Sequence, residues 1–251
     1  MFDLTGKVAI VTGGAGGLGH GIAVGLARNG ADIVLASRNL ARLQPVAEEV
    51  KALGRKALSV VTDVTDDASV AAMVEEVTRT FPHIDILVNV AGVNARVSAE
   101  EFDPKEWEKV IHVNVFGTFV CCQAVGRVMI KQKYGKIINV SSVRGRNAPG
   151  VGGSAYATSK GGVDSLTRTL AVEWAKYNIN VNAIAPALVM NDMTREFLSQ
   201  PETYKRMTGE IPLNRLAEPD DIIGPTILLA SKESDFMTGQ IIYIDGGLTA
   251  R

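Results

Sequence analysis

The sequence predicts a doubly wound α/β fold, a parallel sheet with helices on both faces. Three observations carry that expectation. Short β-branched apolar runs alternate with longer amphipathic stretches along the whole chain. The runs are apolar almost throughout rather than at every second residue, as in strands buried on both faces. A glycine-rich segment, Thr12 to Gly19, directly follows the first run and opens the first helical pattern.

Taken in order, Lys7–Val11, Asp32–Ala36, Ala57–Val61, Ile84–Asn89, Lys136–Val140, Ile179–Ile184 and Ile241–Ile244 read as strands, each bounded by Gly, Asn or Asp. Leu18–Arg28, Leu40–Leu53, Asp67–Thr80, Glu106–Lys131, Ala155–Lys176 and Pro219–Ala230 read as helices. Within Ala155–Lys176, Val163, Leu166, Leu170 and Trp174 recur at spacings of three and four, which gives one buried face. That helix and Glu106–Lys131 carry apolar residues on more than one face. A helix covering a sheet needs a single stripe, so the second stripe predicts a partner helix in a homo-oligomer. No linker, low-complexity tract or repeat interrupts the chain, and residues 1–251 are expected to form a single domain. Two irregular stretches, Arg144–Ser154 and about 185–209, follow the carboxyl ends of strands, where open α/β sheets place their ligands. The second is the expected substrate loop.

Composition excludes several other classes. Of 251 residues, 46% are hydrophobic and 21% charged, the usage of a globular domain rather than a disordered one. Lys+Arg 26 against Asp+Glu 27 leaves a net charge of −1, which argues against nucleic-acid binding by bulk charge. Cys121 and Cys122 cannot make a disulfide framework and read as reduced thiols. No run reaches about 18 uninterrupted apolar residues, and no basic segment leads into an apolar stretch and cleavage site at the N-terminus. A cytoplasmic protein without a membrane partner is expected. His20, His83 and His112 are far apart and fit no metal-ligand spacing, so no metal site is expected.

The glycine-rich turn holds the first chemistry. Gly13, Gly17 and Gly19 allow a tight turn and a close approach of backbone to a pyrophosphate, and Leu18 opens the helix. The helix N-terminus supplies unpaired N–H groups and a positive dipole end. The second strand ends at Ser37-Arg38, where an NAD-binding unit commonly offers an acid to the ribose 2′-hydroxyl. A neutral residue followed by a guanidinium suits a 2′-phosphate; the alternative for Arg38 is a solvated surface arginine. NADP(H) is therefore favoured, with NAD(H) the alternative. Asp63-Val64, after the third strand, stands where an adenine could be met, although an acid after a strand is as often a helix cap.

Tyr156 and Lys160 lie four apart, on one helix face. A nearby cation lowers a phenol from its usual pKa of about 10, and a tuned Tyr can exchange a proton with a carbonyl or alcohol near neutral pH. The pair follows the fifth strand and Ser141-Ser142, either of which could supply a hydroxyl to the same site.

Together, Thr12-Gly13 with Gly17 and Gly19, Asn89-Val90-Ala91-Gly92, Asn114, Ser142, Tyr156/Lys160 and the terminal Asp245-Gly246-Gly247 resemble the short-chain dehydrogenase/reductases. The resemblance runs from about Leu4 to Leu248. It implies a seven-stranded Rossmann-type sheet, a nicotinamide dinucleotide, a carbonyl or alcohol substrate and a homotetramer. Carried over by position, Tyr156 is the general acid/base, and Lys160 binds the nicotinamide ribose and lowers the Tyr156 pKa. Ser142 hydrogen-bonds the substrate oxygen, and Asn114 holds a water in a proton relay. Gly13, Gly17, Leu18, Gly19, Ser37, Arg38, Asp63, Val64, Asn89, Ala91, Gly92 and Pro186 border the dinucleotide. Val189 and Asn191 meet its carboxamide.

Three departures from the family pattern stand out. Val90 replaces an Asn, Ala187 replaces a Gly, and the interval from Ser142 to Tyr156 is 14, one longer than the pattern. The opening Phe2–Lys7, the strand end Ala36–Asn39 and Arg96 resemble the sugar-acid branch, such as gluconate 5-dehydrogenases and keto-deoxygluconate dehydrogenases. Arg96, and Arg144 with Arg146, could take a substrate carboxylate. Alternatively they face solvent, and Leu188, Met190, Met193 and Phe197 build an apolar pocket. Reductases of 3-oxoacyl thioesters share most of the motifs. A dinucleotide-binding regulator with vestigial chemistry is the alternative of another class.

Overall fold

The seven expected runs are strands of one parallel sheet in the order β3-β2-β1-β4-β5-β6-β7. The computed structural model describes residues 2–148, 152–190 and 200–250. The strands are β1 (Val8–Thr12), β2 (Asp32–Ser37), β3 (Ala57–Val61), β4 (Ile86–Asn89), β5 (Gly135–Val140), β6 (Ile179–Pro186) and β7 (Ile241–Ile244). The helices are α1 (Gly17–Arg28), α2 (Leu40–Ala52), α3 (Asp67–Thr80), α4 (Pro104–Ile111), α5 (Gly117–Gln132), α6 (Ser154–Trp174), α7 (Pro201–Gly209) and α8 (Pro219–Ala230).

Alternation along the strands sorts the core into two halves. Ala9, Val11, Ile33, Leu35, Ile86 and Val88 face α1, α2 and α8. Val8, Ile10, Val34, Ala36 and Leu87 face α3, α5 and α6. Full burial of each Val, Leu or Ile among them contributes about 1.5–3 kcal/mol, so both layers are held by the same strands. Chain order reverses between β1 and β4, and the carboxyl ends of those strands open a crevice at the switch point.

The boundaries move where side chains compete for backbone groups. β4 begins two residues later than expected because the Gln132 side chain takes both the N–H (3.1 Å) and the C=O (2.8 Å) of Ile84. The expected helix Glu106–Lys131 is three pieces: α4, a π-helical turn over His112–Phe116, and α5. Pro104–Gln132 as a whole is long and apolar enough to cross a bilayer by length and composition. Half of its most apolar window is buried in the protein, with Val120, Cys121, Cys122, Val125 and Met129 in the core. Within the expected substrate loop the chain is not irregular throughout, since Pro201 starts α7.

Candidate active site

The glycine turn between β1 and α1 is shaped by contacts that admit no side chain. At Gly13, whose φ is +68°, an added Cβ would stand 2.9 Å from Ala91 N, and at Gly19 it would collide with the Gly13 carbonyl. Over Gly17, with φ +54°, nothing lies within 4 Å. The result is an open cradle of backbone at the first turn of α1, which fits a pyrophosphate. The Thr12 hydroxyl accepts from Val90 N (3.1 Å) and Ala91 N (3.3 Å), fixing the β4 loop against this turn. Val90 itself packs on the core. The strand tie runs instead through Asn89 Nδ2 to Asn139 Oδ1 (2.9 Å) and Asn139 Nδ2 to Thr167 Oγ1 (2.9 Å).

At the end of β2, Arg38 is exposed and Ser37 bonds the Asn39 backbone N–H at 3.3 Å. Asp63 does not cap a helix, since Asp66 caps α3. Its carboxyl accepts from the Thr65 hydroxyl (2.6 Å) and N–H (2.9 Å) and is held below its usual range by those bonds, with help from the Arg38 charge. Val64 packs against Gly117 at the head of α5. Arg42, which the sequence reading passed over, also belongs here: its Nη2 stands 3.2 Å from where a Cβ on Gly16 would be. No spacing rule could have found it, because Arg38 lies in the bend before α2 and Arg42 in its first turn.

Ser142, Tyr156 and Arg144 line one cavity of about 240 Å³, together with Arg96, Asn94 and Glu210. The structure separates the two serines. Ser142 opens on this cavity, whereas Ser141 donates to the Lys160 carbonyl (3.3 Å) on α6. Arg146 leaves the site and lies over the Tyr243 ring at 5.5 Å, so it is not a carboxylate ligand here. Leu188, Met207 and Ile211 give the cavity an apolar side, while Met190 packs on Ile211 and Leu216. Of the four residues expected to build an apolar pocket, Leu188 alone among the described ones lines this cavity. Asn94, Met207 and Glu210 carried no motif that would mark them. Within the longer interval, a Cβ added at Gly152 would stand 3.4–3.5 Å from the Arg96–Val97 backbone. Asn191, Met193 and Phe197 lie outside the described residues.

The electrostatics differ from the expectation that Lys160 lowers the Tyr156 pKa. Burial pushes the phenol above its usual value, and the groups that oppose this are Ser142, by a hydrogen bond, and Arg144, by charge. The Lys160 ammonium donates to the Val140 carbonyl (2.7 Å) and lies 5.5 Å from the Tyr156 ring centre. Burial brings Lys160 down to about 8, with the Asp164 carboxylate opposing. Desolvation outweighs the opposing contacts at both groups, Lys160 being buried and Tyr156 half-buried at the cavity wall.

Asn114, in the π-helical turn, is 1% exposed. Its Oδ1 accepts from Val93 N (2.8 Å), and its Nδ2 donates to Val93 O (2.9 Å) and Ser159 Oγ (2.9 Å). Both donor hydrogens are spent, which leaves one lone pair of Oδ1 for a water. Gly92 faces this amide and Lys160: a Cβ there would stand 3.1 Å from Asn114 Oδ1 and 3.8 Å from Lys160 Nζ. Pro186 ends β6, and Ala187 donates to Ile244 O (3.1 Å). Ala187 keeps a negative φ, so the absent glycine costs no strain. Val189 is buried and bridges Ala217.

Among the described residues, no three His, Cys, Asp or Glu side chains gather where a metal ion could be held. Residues 13–249 match the family described as enoyl-(acyl carrier protein) reductase. A short-chain type dehydrogenase/reductase from Mycobacterium marinum superimposes with a TM-score of 0.93 at 35% identity, over 100% of this chain and 98% of that one. The chain belongs to the short-chain dehydrogenase/reductase family. It is an NAD(P)-dependent oxidoreductase of CH–OH groups, and the reading as a vestigial regulator falls. Among curated relatives, 2-dehydro-3-deoxy-D-gluconate 5-dehydrogenase of Dickeya dadantii (strain 3937) is 43% identical over 100% of this chain and 98% of its own. A gluconate 5-dehydrogenase from Burkholderia cenocepacia J2315, solved with NADP and tartrate, matches at TM-score 0.95 and 36% identity, over 100% of this chain and 98% of that one.

Proposed function

We propose that this dehydrogenase interconverts a secondary hydroxyl and a ketone on a sugar acid, with NADP(H) the preferred dinucleotide. The observation that carries the reading is the shared cavity, which sets the Ser142 hydroxyl and Tyr156 phenol beside the guanidiniums of Arg96 and Arg144. Guanidiniums bind a carboxylate through two parallel hydrogen bonds and would hold the carbonyl against the hydroxyls. The kinship to dehydrogenases of gluconate and 2-dehydro-3-deoxy-D-gluconate supports the same class over 3-oxoacyl thioesters.

In the reduction direction Tyr156 donates its proton to the carbonyl oxygen, and Ser142 hydrogen-bonds that oxygen. The nicotinamide, when bound, supplies the hydride or accepts it. Lys160 would hold the nicotinamide ribose through its ammonium, where the charge would favour the phenolate. Asn114 Oδ1 and Lys160 Nζ would hold a water that returns the proton. Gly13, Gly17, Leu18 and Gly19 would hold the pyrophosphate, with Asn89, Ala91 and Gly92 along the β4 side and Pro186, Val189 and Asn191 at the nicotinamide. Asp63 and Val64 would face the adenine. Arg38, joined by Arg42, would take the 2′-phosphate, which favours NADP(H) over NAD(H).

A homotetramer fits the chain, supported by Phe116, Phe119 and Val172, which stay exposed on the long helices. The test of the chemistry is Tyr156→Phe, which keeps the ring and removes the transferable proton. Turnover of a keto sugar acid should vanish while dinucleotide binding persists. Wild-type turnover by this variant would refute the assignment.

A further inference from the structure

We infer that Glu210 reads the end of the substrate remote from its carboxylate, accepting hydroxyl hydrogens there and excluding a second acid. The inference rests on the sugar-acid reading above and assigns specificity within it.

Three observations lead to it. First, the cavity carries both signs of charge: Arg96 and Arg144 come from the loops after β4 and β5, and Glu210 comes from the end of α7. Second, no hydrogen bond or ion pair among the described residues occupies the Glu210 carboxylate or the Arg96 guanidinium. Third, the Glu210 backbone is anchored, because the next residue, Ile211, is buried and bonded to Thr208 O (2.9 Å) and Asn214 N (2.7 Å). A carboxylate with no partner among the described residues, on a fixed backbone and in the lining of the same cavity as Ser142 and Tyr156, is available to whatever fills that cavity.

The donor and acceptor inventory then names the ligand. A guanidinium only donates, an ionised carboxylate only accepts, and the Asn94 amide does both. A chain with one carboxylate and several hydroxyls satisfies all three: the acid at an arginine, the hydroxyls at Asn94 and Glu210. A chain with a carboxylate at each end sets an anion against Glu210, where it can neither donate nor escape like-charge repulsion. A cationic amine would suit Glu210 but is opposed by Arg96 and Arg144 in the same cavity. The geometry therefore selects a monocarboxylic polyol.

The test measures NADP-linked oxidation of gluconate and of glucarate, the same chain with a carboxylate at both ends. The proteins are wild type, Glu210→Gln and Glu210→Lys. Wild type should favour gluconate by about tenfold or more in kcat/KM, the scale of one charged hydrogen bond. Glu210→Gln should raise KM for gluconate, leave kcat nearly unchanged and narrow the preference; Glu210→Lys should invert it. NADPH affinity by fluorescence titration should not move, which separates specificity from misfolding. Gluconate oxidation with the same gluconate-to-glucarate ratio in all three proteins would overturn the role of Glu210 alone. Failure of wild type to oxidise either acid while binding NADPH would overturn the sugar-acid reading and this inference with it.

Discussion

Asn114→Asp changes one atom of the site and no volume, so its effect isolates hydrogen bonding from packing. Asn114 Nδ2 gives two hydrogens, to Val93 O and Ser159 Oγ, both at 2.9 Å. An ionised carboxylate can give neither, and it sets an oxygen against the Val93 carbonyl. Two net hydrogen bonds at about 1 kcal/mol each predict a loss of about 2 kcal/mol at pH 8. For a chain of this length that is roughly 4–8 °C in Tm. Burial raises the pKa of the new carboxyl above its unfolded value. The protonated form regains one O–H donor and is the stable form of the variant. Stability is therefore greatest below the unfolded pKa and is lost as pH rises through the raised folded one. The difference from wild type should shrink to about 1 kcal/mol only below the unfolded carboxyl pKa of about 3.9. Urea unfolding at fixed protein concentration, at about pH 3.5 and pH 8, reads both numbers. A deficit that is the same at the two pH values would refute the claim that Asn114 acts through its donors.

Three further outcomes follow from the same geometry. Arg38→Ala should weaken NADPH roughly 10- to 150-fold, the scale of a lost charged pair, and NADH far less; equal losses would exclude a phosphate role, and Arg42→Ala should show the same sign with a smaller size. Lys160, brought down to about 8 by burial, loses its charge as pH rises through that value, so NADPH affinity of the free enzyme should fall between pH 7 and 9 in a fluorescence titration. Light scattering at micromolar protein should give a tetramer mass, and Phe119→Glu, which places a charge on the exposed helix face, should lower it.

The fold was legible because its signals are local and repeated. Seven apolar runs and a glycine turn between a strand and a helix need no tertiary knowledge to be read. Boundaries were lost where one side chain overrode the pattern, as when Gln132 holds Ile84 out of β4. The π-helical turn was invisible for a related reason. His112–Phe116 keeps an apolar helical pattern, and only the backbone bond from Gly117 N–H to His112 O, five residues back, reveals the altered register.

The site was legible in proportion to how much of it lies on regular elements. Tyr156 and Lys160 share α6, so their spacing alone places them on one face, and Ser142 follows β5 directly. Glu210 and Asn94 reach the same cavity from a helix end and a loop, with no spacing rule to connect them to Tyr156. Charge was legible only as inventory: the arginines after β4 and β5 looked alike, yet Arg144 lines the cavity while Arg146 stacks on Tyr243. The direction of the Tyr156 shift was missed because helical spacing says two groups are near but not whether water is. Desolvation outweighs proximity at both groups, and the Lys160 ammonium is spent on the Val140 carbonyl rather than on the phenol, which no residue spacing could have told.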